Sequence, residues 1–600
     1  MKKTLLFIVA SIALVSCAGT LDQPETSEAK SYSVTLNAGK AGTKALAEAG
    51  SSLTATWTAG DQVSVEAGGS VVGTLTADAD GASTTLSGTI TGSFSVGDNL
   101  ELKYLSNDYT SQNGTLAGIA SSCDYATATV SISAVSGDNL TTSDASFENQ
   151  QAITKFSLFK EDGTTPIRTR DIIITAAGLE GNKISVSAES SLEEVYIAMA
   201  NSSGVKKEYL FIITEYSSGT IYYATKKVNL VSGNYYETAL VAKGTVSGTM
   251  DLSTRSYVAY TVPNNYLVYD SNPTVNRNIP LTVNNGINLI LFNVRVVTTA
   301  TGVSAMTCAG SATISLLGDN YLKGTSGTNM SSLGSAGIDA QGSHELYTVT
   351  FTGPGNLEAV GGYGAAGIGA SAVSGSSGKV HANLVFDGTG TISASSKQYG
   401  AGIGSGVMYN SSTSSTLSNS IGNITINSGT IVATSSAGIT YSNSGGAGIG
   451  AGAGYGSSTS QKAQSTCGII TINGGNVTAT GGYEAAGIGA GACGYTGSYS
   501  KCGNIVINGG TVIATGSSYA PGIGAPKGYS KTYTTTCGTV TIGSGITSLT
   551  ATRGRSGSDY PQCIGVGSSG YASCGDITID AGLSDSGEPE GTGLVRTISH

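Results

Sequence analysis

Cys467-Gly468-Ile469-Ile470-Thr471-Ile472-Asn473-Gly474-Gly475 is echoed by Cys502-Gly503-Asn504-Ile505-Val506-Ile507-Asn508-Gly509-Gly510 and again by Cys537-Gly538-Thr539-Val540-Thr541-Ile542. The first copy runs on to Ala486-Gly487-Ile488-Gly489, the second to Pro521-Gly522-Ile523-Gly524, the third to Cys563-Ile564-Gly565. The Cys-Gly pairs at 467, 502, 537 and 574 lie 35, 35 and 37 residues apart. A fixed period of this size marks a stack of supersecondary units. Each unit holds three short runs in which apolar and polar residues alternate, which is the strand period, followed by a loose Ser/Thr/Gly/Tyr loop. One unit cannot bury its apolar face alone, but stacked units can. Coil upon coil at the strand spacing of about 4.8 Å makes a parallel β-helix, with Ile472, Val477 and Ile488 and their equivalents as inward ladders. Looser copies centre on Ile338, Ile368, Ile403 and Ile449. The solenoid is expected over 245–583, with 584–600 as a C-terminal tail.

The residues Ile314-Ser315-Leu316-Leu317-Gly318-Asp319-Asn320-Tyr321-Leu322 and the repeated Ala-Gly-Ile-Gly resemble the β-helical "carbohydrate-binding domain" proteins of gut bacteria. The resemblance implies a glycan ligand for the solenoid.

Upstream, short alternating runs stand between Gly and Asp turn signals: Val63, Val65, Val71 and Leu75, then Leu86, Ile90, Phe94, Leu100 and Leu102. Such spacing predicts β-sandwiches. The stretch Ala55-Thr56-Trp57-Thr58-Ala59-Gly60-Asp61-Gln62-Val63-Ser64-Val65, with Phe147-Glu148-Asn149-Gln150-Gln151-Ala152-Ile153-Thr154-Lys155-Phe156, resembles the fimbrillin-like family of Bacteroidales surface proteins. That resemblance implies fimbrillin/transthyretin-like sandwiches, adhesion, and pilus subunits built by strand exchange. We read one sandwich at 32–145 and a second at 146–244. Two features depart from a polymerising pilin. The first Arg is Arg168, and a long second domain follows the sandwiches. Trp57 is expected in the sandwich core.

Lys2 and Lys3 precede an apolar run, Leu5 to Val15, too short to span a bilayer and fitting a signal-peptide core. It ends in Leu14-Val15-Ser16-Cys17, which resembles the bacterial lipobox. The expectation is a signal peptide at 1–16, acylation of Cys17 and a flexible tether at 17–31. Each buried CH₂ of an acyl chain adds roughly 0.8 kcal/mol of membrane affinity, so several chains anchor firmly. Removing 1–16 takes away two lysines and no acid, so the net charge of −10 becomes −12.

Glycine accounts for 87 of 600 residues without a Gly-X-Y period, which excludes collagen. Only 11% of residues are charged, against 39% hydrophobic, which excludes a charge-driven disordered chain. The negative net charge and lack of a basic run exclude nucleic acid as a partner. Tyr outnumbers Phe 30 to 9, as suits β-structure with a polar aromatic surface.

Candidate site residues follow from the stack. Tyr363, Tyr399, Tyr483, Tyr519 and Tyr560 precede the Gly-Ile-Gly position, and Tyr409, Tyr455, Tyr495, Tyr529 and Tyr571 follow it. Stacked coils would align them in two stripes, which either contact a glycan or stack on one another over the loop bases. Cys467, Cys502, Cys537 and Cys574 share one repeat position and form a structural ladder. They are buried thiols or disulfide partners between coils, because a linear ladder does not converge on a metal tetrahedrally. Asn427, Asn473 and Asn508 recur after a strand and read as a corner ladder. Between Asp387 and Asp559 there is no Asp, and the only Glu is Glu484. Glycosidic hydrolysis needs two carboxylates at a defined separation, so an enzyme is not expected, and neither a metal nor a cofactor. Asp319, Asp339, His344, Glu345 and Asp387 are the one acidic cluster to examine. The expected function is a non-catalytic surface lipoprotein of the outer membrane, an adhesin for glycans or a host or cell-surface partner. Pilus-associated and polysaccharide-active roles are the alternatives.

Overall fold

The structure is a computed structural model. It describes residues 29–599 apart from 41–46, 50–51, 55, 203, 344–345, 376, 412–414, 437–443, 457, 494–495, 555–560, 568–569 and 587–594. The expected signal peptide at 1–16, Cys17, the expected tether over 17–28, Tyr495, Tyr560, His344, Glu345 and Asp559 lie outside the described residues. Among the described residues the regular structure is nearly all β, with one seven-residue α-helix, Leu116–Ser122. Two compact bodies are present. One comprises the residues up to Asn107 and Leu116–Gln151, the other Asp108–Thr115 and everything from Ala152 on.

In the first body Lys30–Lys40 runs antiparallel to Ser83–Gly92 over ten residue pairs and parallel to Asn139–Thr142 and Ala145–Asn149. Its alternation puts Val34, Leu36 and Ala38 inside. Trp57 is 1% exposed and meets Tyr104 and Phe147 edge-on at ring-centroid distances of 5.6 and 5.4 Å. It is a core aromatic, as its sequence context implied.

The second body begins with a sandwich. Gln151–Phe159 lies between Glu194–Ala200 and Tyr235–Val241 in a three-stranded sheet. A six-stranded sheet holds Thr169–Thr175, Lys183–Leu192, Lys207–Glu215 and Ile221–Val228. This larger sheet packs on the first coils of the solenoid. Leu210 and Ile212 meet Leu267, Tyr269, Ile290 and Phe292 in one buried apolar cluster. A dry joint of this kind holds the sandwich and the solenoid together as one body.

From Gly248 on the chain winds as a parallel β-helix. One coil shows the path: Ile470–Ile472, Asn476–Thr480, Ile488–Gly489 and Ser498–Cys502, then Ile505–Ile507 of the next coil. Successive coils build an eleven-stranded Ile-Thr-Ile sheet, a ten-stranded wide sheet, a ten-stranded Ile-Gly sheet and a six-stranded Cys sheet. The inward ladders are in register: Ile426–Ile472–Ile507–Ile542, Ile431–Val477–Val512–Leu549 and Ile449–Ile488–Ile523–Ile564. All are at most 1% exposed, and each contributes on the order of 1.5–3 kcal/mol by burial.

The glycine of Ile-Gly is required by close approach. Gly489 has φ +137°, and a Cβ there would lie 2.1 Å from the Gly524 carbonyl oxygen. The same column holds Gly404, Gly450, Gly524 and Gly565.

Two expectations need correction. The loose loop of each unit contains a fourth strand, such as Ala463–Cys467 and Ser498–Cys502. At its centre the inward residue is polar, Ser465 in one coil and Ser500 in the next, so the apolar alternation that reveals a strand is interrupted. The tail expected at 584–600 supplies Ser584–Ser586 and Val595–Ser599, antiparallel to each other, with the latter antiparallel to Ile546–Thr552. An antiparallel pair closes a sheet edge that would otherwise present unpaired backbone groups.

Candidate functional site

The fourth strand explains how the glycine-rich loops are held. Ser465, Ser500 and Thr535 stand in one column and are 0% exposed. Ser500 Oγ accepts from the Gly491 N–H at 2.8 Å and donates to the Gly452 carbonyl at 2.9 Å. Ser465 Oγ donates to the Ala453 carbonyl at 2.6 Å and accepts from the Met408 N–H at 3.1 Å. Asn419, the equivalent one coil earlier, donates to the carbonyls of Ser371 and Val407. These hydroxyls and amides satisfy loop backbone that would otherwise be buried without partners.

The tyrosines lie over these loops. Tyr363 and Tyr399 have ring centroids 5.4 Å apart, Tyr409 and Tyr455 5.3 Å, and Tyr399 and Tyr455 6.2 Å. The two expected stripes therefore merge here into one self-packed cluster with Val407 and Ala453 beneath. Tyr399 is 3% exposed and offers no ring face to a ligand. Further along, Lys527 Nζ lies 4.4 Å from the Tyr519 ring centre and 5.0 Å from that of Tyr529. The Tyr529 hydroxyl donates to Glu484. Burial raises the Glu484 carboxyl above its ordinary range, against the opposing pull of Tyr529 and Lys527. The Tyr529 phenol is raised by its own burial and by Glu484, and Tyr483 also lies in its field. Tyr571 is 41% exposed.

Tyr399, Glu484 and Tyr519 each stand four residues before the core Ile of Ile-Gly, and each has left-handed backbone, φ 56°, 57° and 61°. Lys527 and the pairing of Glu484 with Tyr529 were not foreseen. The available signal was Glu484 itself, a single acid in a long acid-free stretch.

Cys467, Cys502, Cys537 and Cys574 stack in register on the Cys sheet, and all four are free thiols. The Cys502 thiol is raised well above its ordinary range, first by its hydrogen bond with Cys467 and then by burial. Cys537 is raised in the same way through Cys502. Asn473 donates to Asn427 and Asn508 to Asn473, both at 2.9 Å, so the corner ladder forms.

The acidic cluster is dispersed. Asp319 opens a strand of the wide sheet, Asp339 lies on the Ile-Gly sheet, and Asp387 follows a strand of the Ile-Thr-Ile sheet. Asp339 is buried, with Oδ1 3.4 Å from His381 Nε2 and Oδ2 accepting from Gln341. His381 Nδ1 faces the Ser420 carbonyl at 3.0 Å. Burial pushes the Asp339 carboxyl up, but His381, Gln341 and the Ser371 N–H together hold it below its ordinary value. The pair is buried inside the coil. Among the described residues no group of three His, Cys, Asp or Glu is placed to hold a metal ion, and no helix is long and apolar enough to cross a membrane.

The fold defines an all-β chain of sandwiches followed by a parallel β-helix. The Beta helix repeat family model matches residues 470–492 and 505–529. Solved structures similar to this chain include a candidate cell adhesion protein from Bacteroides ovatus, with 12% identity over 35% of this chain and 91% of that one, TM-score 0.22. A fimbrial assembly protein from Parabacteroides distasonis shows 11% identity over 35% and 90%, TM-score 0.20. The shaft pilin SpaA from Lactobacillus rhamnosus shows 10% identity over 36% and 98%, TM-score 0.17. No curated protein matches the chain.

Proposed function

We propose that the chain is a non-catalytic surface adhesin, anchored in the outer membrane through acylated Cys17 and making contact through its β-helix. The observation that carries this reading is the joint between sandwich and solenoid. Leu210 and Ile212 against Leu267, Ile290 and Phe292 fix a long, weakly charged β-helix to its support as a rigid projection. Such a body suits display and contact. The dispersal of Asp319, Asp339 and Asp387 over three sheets supports a non-enzymatic role, since a glycosidase brings two carboxylates together. A pilus-associated role is the second reading. It is favoured by the edge position that Tyr235–Val241 takes in the three-stranded sheet among the described residues, where an added strand could pair.

The test is attachment of cells expressing the full chain, compared with cells expressing the Cys17→Ala variant, to epithelial and bacterial surfaces. The adhesin reading expects surface-retained protein and attachment with wild type, and protein shed into the medium with Cys17→Ala. Attachment unchanged by deletion of the gene refutes it. Copurification of the chain with a fimbrial shaft favours the second reading.

A further inference from the structure

The wide sheet differs from the others in what it shows to solvent. Between Ile424 and Ile542 a strand of the Ile-Thr-Ile sheet offers one outward residue, such as Thr425, Thr471 or Thr541. The Cys sheet carries Lys501 outward beside Tyr499. From Thr391 to Thr552 each strand of the wide sheet offers at least three outward residues, and the register aligns them. One column runs Thr391–Thr430–Asn476–Thr511–Ser548. A second runs Ser393–Val432–Thr478–Ile513–Thr550, and a third Ser395–Thr434–Thr480–Thr515–Thr552. The antiparallel C-terminal strand continues them with Ser599, Thr597 and Val595.

No charged residue interrupts these columns. Lys397 stands one pleat outside them, Arg596 lies between Val595 and Thr597 paired with Asp585, and Glu358 begins the charge one rung earlier. Among the described residues none of the hydroxyls in the columns enters a side-chain hydrogen bond within the protein. Six strands at about 4.8 Å give a flat track of about 24 Å, with hydroxyls free for an external partner.

The track opens at its N-terminal end into a cleft of about 610 Å³. Thr391 and Ser393, the first rung of the track, line it together with Arg295, Asp319, Tyr321 and Glu358. Arg295, Tyr321, Glu358 and Ser393 are successive members of one column. The Arg295 guanidinium lies 4.3 Å from the Tyr321 ring centre, which holds that ring in place. Asn356 donates to Asp319 at 2.7 Å, while the exposed Glu358 carboxylate keeps its hydrogen-bonding capacity.

We propose that the wide sheet binds one neutral, linear polysaccharide chain along the β-helix axis, with an end of the chain seated against Tyr321 and Glu358. This rests on the adhesin reading and names the ligand class and face. An uncharged, largely hydroxyl array matches a neutral polyhydroxy chain, whereas an acidic chain would find no unpaired cation among the columns. The rung repeat is close to the length of a hexose unit, so successive sugars meet equivalent hydroxyls. An aromatic ring with a nearby carboxylate recognises a sugar by its C–H face and its hydroxyls.

The experiment uses the whole mature chain, because a cut at 245 would uncover Leu267, Ile290 and Phe292. Binding is measured to cellulose, xylan and mannan oligomers of increasing length and to polygalacturonate. The expected result is saturable binding to a neutral chain, tightening with length until the chain spans the track. Thr478→Glu and Tyr321→Ala should each weaken it at least tenfold, and Thr471→Glu on the Ile-Thr-Ile sheet should leave it within twofold. Circular dichroism confirms that each variant folds. Stronger binding to polygalacturonate, or neutral binding unaffected by Thr478→Glu, overturns the proposal. Cell attachment without any neutral-polysaccharide binding overturns the track but leaves the adhesin reading. Failure of cells expressing the full chain to attach overturns the adhesin reading itself.

Discussion

Ser500→Ala is the sharpest test of how the coils are held. The Ser500 hydroxyl, 0% exposed, serves the Gly491 N–H at 2.8 Å and the Gly452 carbonyl at 2.9 Å. Its removal leaves one donor and one acceptor buried without a partner. Each such group costs about 1–3 kcal/mol. The two loops are glycine-rich and relax in part, so we take the lower half of the range for each, about 2–4 kcal/mol for the pair. At about 1.4 kcal/mol per factor of ten, that is roughly a 30- to 700-fold loss of protection. Repeat stacks open locally, so a single melting temperature would blur the effect. The assay is native-state hydrogen exchange read at the Gly491 amide, in wild type, Ser500→Ala and Thr478→Ala. Thr478 is outward, and its hydroxyl serves no group among the described residues, so its variant should change protection by less than a factor of three. If Ser500→Ala also changes Gly491 protection by less than threefold, the buried hydroxyl column does not hold the loops and the reasoning fails.

Three further outcomes are expected. The Glu484 carboxyl is raised by burial, so the folded state favours its protonated form and this group's contribution to stability declines as pH rises above the ordinary glutamate range. Glu484→Gln should flatten that dependence and unfold at higher temperature than wild type at pH 7, while a variant less stable than wild type at neutral pH contradicts it. Asp339 is held below its ordinary value, so its contribution is present at neutral pH and is lost as pH falls through the depressed value. Asp339→Asn disrupts the buried hydrogen bonds that the carboxylate accepts from Gln341 and the Ser371 N–H and should destabilise the chain by about 1–3 kcal/mol, read by urea unfolding at pH 7. Equal midpoints for the two proteins would show that the pair contributes nothing. Thiol alkylation at pH 8 should modify the folded chain at Cys574 at most, because Cys467, Cys502 and Cys537 are buried and the latter two are raised by their neighbours. Rapid labelling of Cys502 without denaturant would mean that the ladder is open.

The solenoid was legible because its inward ladders are apolar. Ile472, Val477 and Ile488 recur at a near-constant period, and alternation with polar residues is visible when the buried member is Ile or Val. Trp57 and the corner asparagines followed from the same local logic. The tyrosines were legible as a recurring feature, yet their arrangement was not. Whether Tyr399 faces solvent or Tyr455 depends on loop paths that differ in length from coil to coil.

Sequence alone determined the parallel stack, because identical short-range patterns can bury their apolar faces only by adding to one another. Tertiary structure decided three things. It made Ser465, Ser500 and Thr535 interior, since a buried hydroxyl becomes favourable only where glycine backbone arrives to bond it. It sent Asp319, Asp339 and Asp387 to three different sheets, which residue spacing does not encode. It aligned Thr391, Thr430, Thr511 and Ser548 in one column, because parallel register joins strands separated by loops of unequal length. In each case the deciding interaction lies between coils, between residues distant along the chain, where local pattern carries no information.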